Sequence, residues 1–327
     1  MKLGMLGWIV GLSLLWVSGA AQGKAFLRFT GGPSGGTFQY FANGISARLS
    51  KQDPDLKVSP QASAGSTENL RRVNNKRAHF GVVHQGDLYL GRRGKLHKDS
   101  RKYDKVYALG VLYRSAAQLV ASTSSGIKSL KDLPGKKVGI GGPGSGAAAT
   151  AERFLVKVGL WDKIDHQFLG YSGAARAIKD GHLDAMWVVS GYPTRAVIEL
   201  SASTAITMIP LLDAVKAHKF RDAYPFYHET SLPETTYEKW PHPYETFVDS
   251  TVWVAGAHTS MDHVYQSLKD IYSKEGLAYM VNLNRAASSM SVATAIQGVI
   301  VPLHPGAVKF WTEKGLKIPK NLMPNKS

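Results

Sequence analysis

The chain has no cysteine among its 327 residues. That absence excludes a disulfide framework, a thiolate metal site and an acylated lipobox, so the fold must rest on buried apolar surface. Acidic side chains are scarce as well, with 24 Asp and Glu against 40 Lys and Arg and a formal net charge of +16. Beyond the run from Leu3 to Val17, no stretch is long and apolar enough to span a bilayer. The Gly-Lys-Ser/Thr ending of a nucleotide P-loop is missing, because the glycine loop at Gly141–Gly146 continues into Ala147-Ala148. None of the eleven histidines belongs to a His-Glu-x-x-His pattern, and His258 and His263 stand five apart. No metal site and no cofactor is therefore expected.

What is present begins at the N-terminus. Lys2, the apolar run Leu3 to Val17 and the small residues Ser18-Gly19-Ala20-Ala21 read as a Sec signal peptide covering residues 1–24. Cleavage between Ala20 and Lys24 would release a periplasmic product that does not itself span the membrane. Basic residues crowd the segment 71–105, from Arg71 and Arg72 through Arg92, Arg93 and Lys95 to Lys105. A solvated face, a docking patch for an acidic membrane partner and a field that draws in an anionic solute all stay open. Nucleic acid is not an expected partner, since an exported chain without RNP, zinc-finger or KH patterns lacks the usual means of reading it.

Two glycine loops carry the chemistry. Lys137-Val138-Gly139-Ile140 leads through Gly141-Gly142-Pro143-Gly144-Ser145-Gly146 into the helix-prone Ala147–Leu155. Phe26-Leu27-Arg28-Phe29 leads through Gly31-Gly32-Pro33-Ser34-Gly35-Gly36-Thr37 into a helix with Phe38, Phe41, Ile45 and Leu49 on one face. At such starts the first helical amides have no intrahelical acceptor, and the helix dipole adds a partial positive charge, so both loops suit an anion. Thr37, Ser66 and Ser145 stand where side chains cap helices.

Strand, loop and helix alternate along most of the chain, which predicts a parallel α/β sheet with ligand groups at the carboxyl ends of its strands. Strands are expected at Val106–Tyr113 and Gln118–Ser122, with a first crossover there, and a return crossover at Ser250–Ala255. The domains would then be 25–115 with 255–327, and 116–254. Within the second, just before the return crossover, the proline- and aromatic-rich stretch from Pro225 to Phe247 reads as loop. Arg114, beside the first crossover, could clamp a carboxylate, and Trp187 reads as core.

Two enzyme motifs occur by spacing. Gly32-Pro33-Ser34-Gly35-Gly36 fits Gly-x-Ser-x-Gly, which would make Ser34 the nucleophile of an exported serine hydrolase, though the sequence singles out no partner histidine or acid. Gly139–Gly144 fits Gly-x-Gly-x-x-Gly, but Pro143 removes a backbone donor and no acidic residue ends the next strand as a dinucleotide site needs.

Six motifs in register resemble one family. They are Gly31–Phe38, Ala64–Leu70, Gly141–Gly146 with Ala149–Glu152, Asp180–Ala185, Ser190-Gly191-Tyr192-Pro193 and Pro302–Ala307. Together they span nearly all of the mature chain and resemble the TAXI family, the extracytoplasmic solute receptors of tripartite TRAP transporters. The resemblance implies a two-domain type II periplasmic-binding-protein fold with two hinge crossovers. It also implies closure on a small organic anion and delivery to TRAP membrane subunits rather than catalysis. On its motifs the ligand would be met at Gly36, Thr37, Phe38, Ser66, His84, Gln85, Ser145, Gly146, Ala147 and Tyr192. His84-Gln85-Gly86, Ala147 and Phe38 depart from the family's usual Gln-Ser-Asp, Thr and Tyr, so the solute stays open among carboxylates and amino acids such as glutamate or a 2-oxo acid.

Overall fold

In the N-terminal part each glycine loop opens a helix and each helix returns to a parallel strand. The computed structural model describes residues 24–324, so the expected signal peptide lies, apart from Lys24, outside the described residues. Strand β1 (Ala25–Thr30) enters α1 (Thr37–Gln52), which buries Phe38, Phe41, Ile45 and Leu49, the face its spacing predicts. Next come β2 (Leu56–Gln61), α2 (Ser66–Asn74), the wholly buried β3 (Phe80–His84) and α3 (Gln85–Arg92).

β4 (Val106–Ser122) is one strand of 17 residues where two were expected. Arg114 interrupts the apolar run, but it is an exposed residue paired with Ser250 in the ladder, which continues on both sides of it. The chain continues through β5 (Lys137–Gly139), α4 (Gly146–Lys157), β6 (Asp165–Gln167), α5 (Tyr171–Lys179) and β7 (Ala185–Ser190). Then follow α6 (Arg195–Ser201), β8 (Ile206–Ile209), α7 (Leu212–Ala217) and α8 (Phe220–Ala223). The stretch expected to be loop contains β9 (His228–Leu232) and the start of β10 (Tyr244–Gly256), because the two segments pair antiparallel, with Tyr244 opposite Leu232 and Phe247 opposite Glu229. Helices α9 (Met261–Ile271), α10 (Lys274–Leu283) and α11 (Pro305–Glu313) close the chain.

Ten strands form one mixed sheet in the order β2-β1-β3-β10-β4-β7-β5-β6, with β8 on β4 and β9 on β10. β1, β2 and β3 are parallel to one another, as are β5, β6 and β7, while β4 and β10 run antiparallel to their neighbours. Two hydrophobic cores result. One draws on residues between Leu27 and Tyr113 and again between Val252 and Leu322, with Phe29, Phe80 and Trp253 in mutual contact. The other draws on Ala116 to Val248, where Trp187 stacks on Phe154 at 5.4 Å. The chain passes between the cores twice, in the paired strands β4 and β10 near Ser115 and Asp249, which face each other in the ladder.

Candidate functional site

A small, partly open cavity lies where the two cores face each other. Its first wall comes from the starts of α1 and α2: Gly36, Thr37 and Phe38 from one, Ala64, Gly65 and Ser66 from the other, with His84 at the end of β3. Its second wall comes from Ser145, Gly146 and Ala147 at the start of α4, Tyr171 at the start of α5, and Val189 and Ser190 at the end of β7. Four helix N-termini, two from each half, thus point their unpaired amides and dipoles at one small space.

Close approach at the base requires glycine. A Cβ on Gly146 would lie 2.7 Å from the Ser66 Cβ, 2.5 Å from the His84 Cδ2 and 2.6 Å from Asp87 Oδ2. Gly65, the residue before α2, has φ +131°, a backbone state glycine adopts without steric cost. The halves also bond directly. Thr37 donates its N–H to Ser190 Oγ at 3.2 Å, and the Ser190 hydroxyl donates to Thr37 Oγ1 at 3.1 Å. On the other side, the Glu68 N–H and the Thr67 hydroxyl both donate to the Gly144 carbonyl.

The three hydroxyl residues at helix starts behave differently. Ser145 is a cap, its Oγ accepting the Ala148 N–H at 3.0 Å. Thr37 and Ser66 are first helical residues, with Gly36 and Gly65 in the cap positions. Ser66 Oγ instead accepts the His84 N–H at 2.9 Å and fixes β3 against α2. The hydroxyl proton of Ser66, and that of Ser145, has no acceptor assigned within the protein and can reach a solute.

His84 is a neutral wall. Burial is the largest influence and lowers its pKa from 6.5 to about 4, Asp87 pulling it up and Arg153 down. Its ring lies 4.7 Å from that of Phe38, and its buried Nδ1 has no protein partner. Tyr171 offers only its ring, since its hydroxyl both donates to the Val189 carbonyl and accepts the Val189 N–H.

Behind Gly146 a buried ion pair joins the halves: Arg153 of α4 meets Asp87 of α3 at 2.6 Å, and the same guanidinium donates to the Tyr227 hydroxyl at 2.9 Å. Asp249, at the strand crossing, accepts the Gly86 N–H at 3.1 Å. Burial, with Asp87 next, pushes the Asp249 carboxyl well above its ordinary range, which favours its neutral form.

The cavity brings together Gly36, Thr37, Phe38, Ser66, His84, Ser145, Gly146 and Ala147 of the ten residues expected there. Gln85 and Tyr192 are not in its wall. Gln85 opens α3 with its amide buried and unpartnered, one residue past the wall, because β3 runs straight into the helix and turns successive side chains apart. Tyr192 follows Ser190 after the strand has ended and sits half-buried, joined to Pro193 by a cis peptide. Arg114 is likewise outside the wall. Tyr171 and Val189 were not singled out from the sequence, and Ser190 was named only as the start of the Ser190–Pro193 motif, not as a residue that meets the ligand.

Ser34 is exposed in the turn before α1, outside the cavity, in a groove with Ser172, Arg176, Lys179 and Glu199 and no histidine. Arg92, counted among the surface cations, serves the fold: its guanidinium donates to the Asp104 carbonyl at 2.7 Å and lies 5.0 Å over the Tyr107 ring. Among the described residues no group of three or more His, Cys, Asp or Glu is placed to hold a metal ion.

Comparison with known proteins agrees with this architecture. The family profile described as the NMT1-like family matches residues 29–315. A solved structure of a Bordetella bronchiseptica RB50 protein is similar at 18% identity and a TM-score of 0.51, with 91% of each chain covered. Another, described as a periplasmic transporter, is similar at 15% identity and a TM-score of 0.51, covering 88% of this chain and 92% of the other. At such identity the likeness is one of fold, the mixed α/β class that the alternation of strands and helices implies.

Proposed function

The chain belongs to the NMT1-like family, and on that premise we propose that it is an extracytoplasmic receptor that captures a small organic anion between its two halves and hands it to a membrane transporter. The observation that carries this is the meeting of four helix N-termini, two from each half, on one cavity. Amides at Phe38, Ser66, Gly146 and Ala147 have no intrahelical acceptor at these starts and can surround a carboxylate, with the Ser66 and Ser145 hydroxyls beside them. The lobes of the receptor are residues 25–115 with 255–327, and 116–254, hinged through β4 and β10. Its location is the periplasm, and the partner we assign is the membrane component of a TRAP transporter, in keeping with the TAXI-like motifs.

A solute that binds only the folded state stabilises it by about 2.7 kcal/mol at 100 times Kd, a rise of several degrees in Tm. Thermal denaturation with carboxylates, amino acids, sulfonates, phosphate, sugars and divalent cations tests the class. We expect organic anions to raise the Tm. A rise with sugars or metal ions alone contradicts the proposal, and ester hydrolysis abolished by Ser34→Ala would replace it with an enzyme.

A further inference from the structure

On the receptor function proposed above, we infer that the solute is a small monocarboxylate whose remaining polar group is uncharged, and that the cavity rejects both dicarboxylates and zwitterionic amino acids. Its charge inventory carries this. Among the described residues, none that lines the cavity is Lys, Arg, Asp or Glu. The helix N-termini that open on the cavity suit one carboxylate.

A second carboxylate, or an ammonium, would enter the cavity without a counter-charge, and an unpaired buried charge is expensive. The nearest charged side chains are not available. Arg153 and Asp87 lie behind Gly146, buried and bonded to each other at 2.6 Å. Asp87 Oδ2 has no partner, but the backbone of Gly146 stands against it. Burial keeps the histidine on the wall neutral, so it can meet an oxo or hydroxyl oxygen and cannot balance a charge. The rest of the wall is apolar or hydroxylic.

Arginines do occur nearby. Arg195 and Arg285 line the adjoining outer groove, which shares Thr37 with the cavity. Arg195 is already engaged, donating to the Tyr40 hydroxyl at 2.7 Å and pairing with Glu199 at 2.6 Å.

Three probes of matched skeleton separate the possibilities by calorimetry on the mature wild-type protein. 2-Oxobutanoate carries one charge, 2-aminobutanoate exchanges the oxo group for an ammonium, and 2-oxoglutarate adds a second carboxylate. We expect 2-oxobutanoate to bind at least about a hundredfold more tightly than either of the others, the discrimination typical when a buried polar group is left unpaired. Equal or tighter binding of 2-aminobutanoate or 2-oxoglutarate overturns the inference and leaves the receptor function standing. If 2-oxoglutarate wins and Arg285→Gln removes its advantage, the second carboxylate belongs in the outer groove. No heat from any of the three, or from the acids of the thermal panel, overturns the receptor function itself.

Discussion

His84 shows how one residue ties the site to the stability of the whole chain. In the folded protein its pKa is held at about 4, against 6.5 when exposed, with burial the largest cause. The folded state therefore resists a proton that the unfolded chain accepts. This contribution is intact above pH 6.5 and is lost as pH falls from 6.5 toward 4, at a cost on the order of 3 kcal/mol. Urea denaturation at a series of pH values should show that decline, and His84→Gln should flatten it. An equally steep decline in the variant would assign the acid sensitivity elsewhere, with His79 and His304, also lowered to about 4, as the other candidates. At this scale the sequence is partly legible. Ser145 is recognisable as a cap because it stands immediately before a helix-forming run, whereas Thr37 and Ser66 yield the cap position to glycines and bond to distant partners. The Arg153 and Asp87 pairing joins residues 66 apart through tertiary packing alone, and no local pattern announces it.

Among the elements, α4 has the strictest placement. Its first residue, Gly146, has no room for a side chain because the starts of α2 and α3 press against it. Gly146→Ala should push the N-terminus of α4 away from α2, since the obstructing atoms are a Cβ, a ring carbon and a fixed carboxylate rather than mobile side-chain ends. We expect at least about a tenfold loss of solute affinity, equivalent to 1.4 kcal/mol, with the far-ultraviolet dichroism unchanged. Unaltered affinity in a folded variant would show that the α4 start is not part of the binding surface. Helix starts at glycine loops are the most readable elements in this chain, because strand, loop and helix signals coincide. Strand lengths are less so. β4 looks like two strands because Arg114 breaks its apolar pattern, and β9 is hidden in a polar, proline-flanked stretch whose order comes from pairing with β10.

For the whole molecule, the two passages between cores sit side by side in the same ladder, so rotation about them would open the cavity and leave both cores intact. Contacts cross the cleft away from the ladder, such as Thr37 with Ser190 and Glu68 with Gly144, and on the receptor function proposed above a solute-free open form would lack them. Small-angle scattering should therefore give a smaller radius of gyration when a bound organic acid saturates the protein. A profile that stays the same at saturation would contradict hinge closure. The alternation of strands and helices made the fold class legible, while the pairing of β4 with β10 depends on contacts between segments more than 130 residues apart in places, such as Ser115 with Thr251.

The most direct test of the account is an amide proton and nitrogen spectrum of the mature protein titrated with the organic acid that raises its Tm most. Hydrogen bonds to a carboxylate should move the amides of Phe38, Ser66, Gly146 and Ala147 further than any others, at the same solute concentration. Shifts confined to another surface, such as the groove between Leu130 and His218, would contradict a solute held at the converging helix starts.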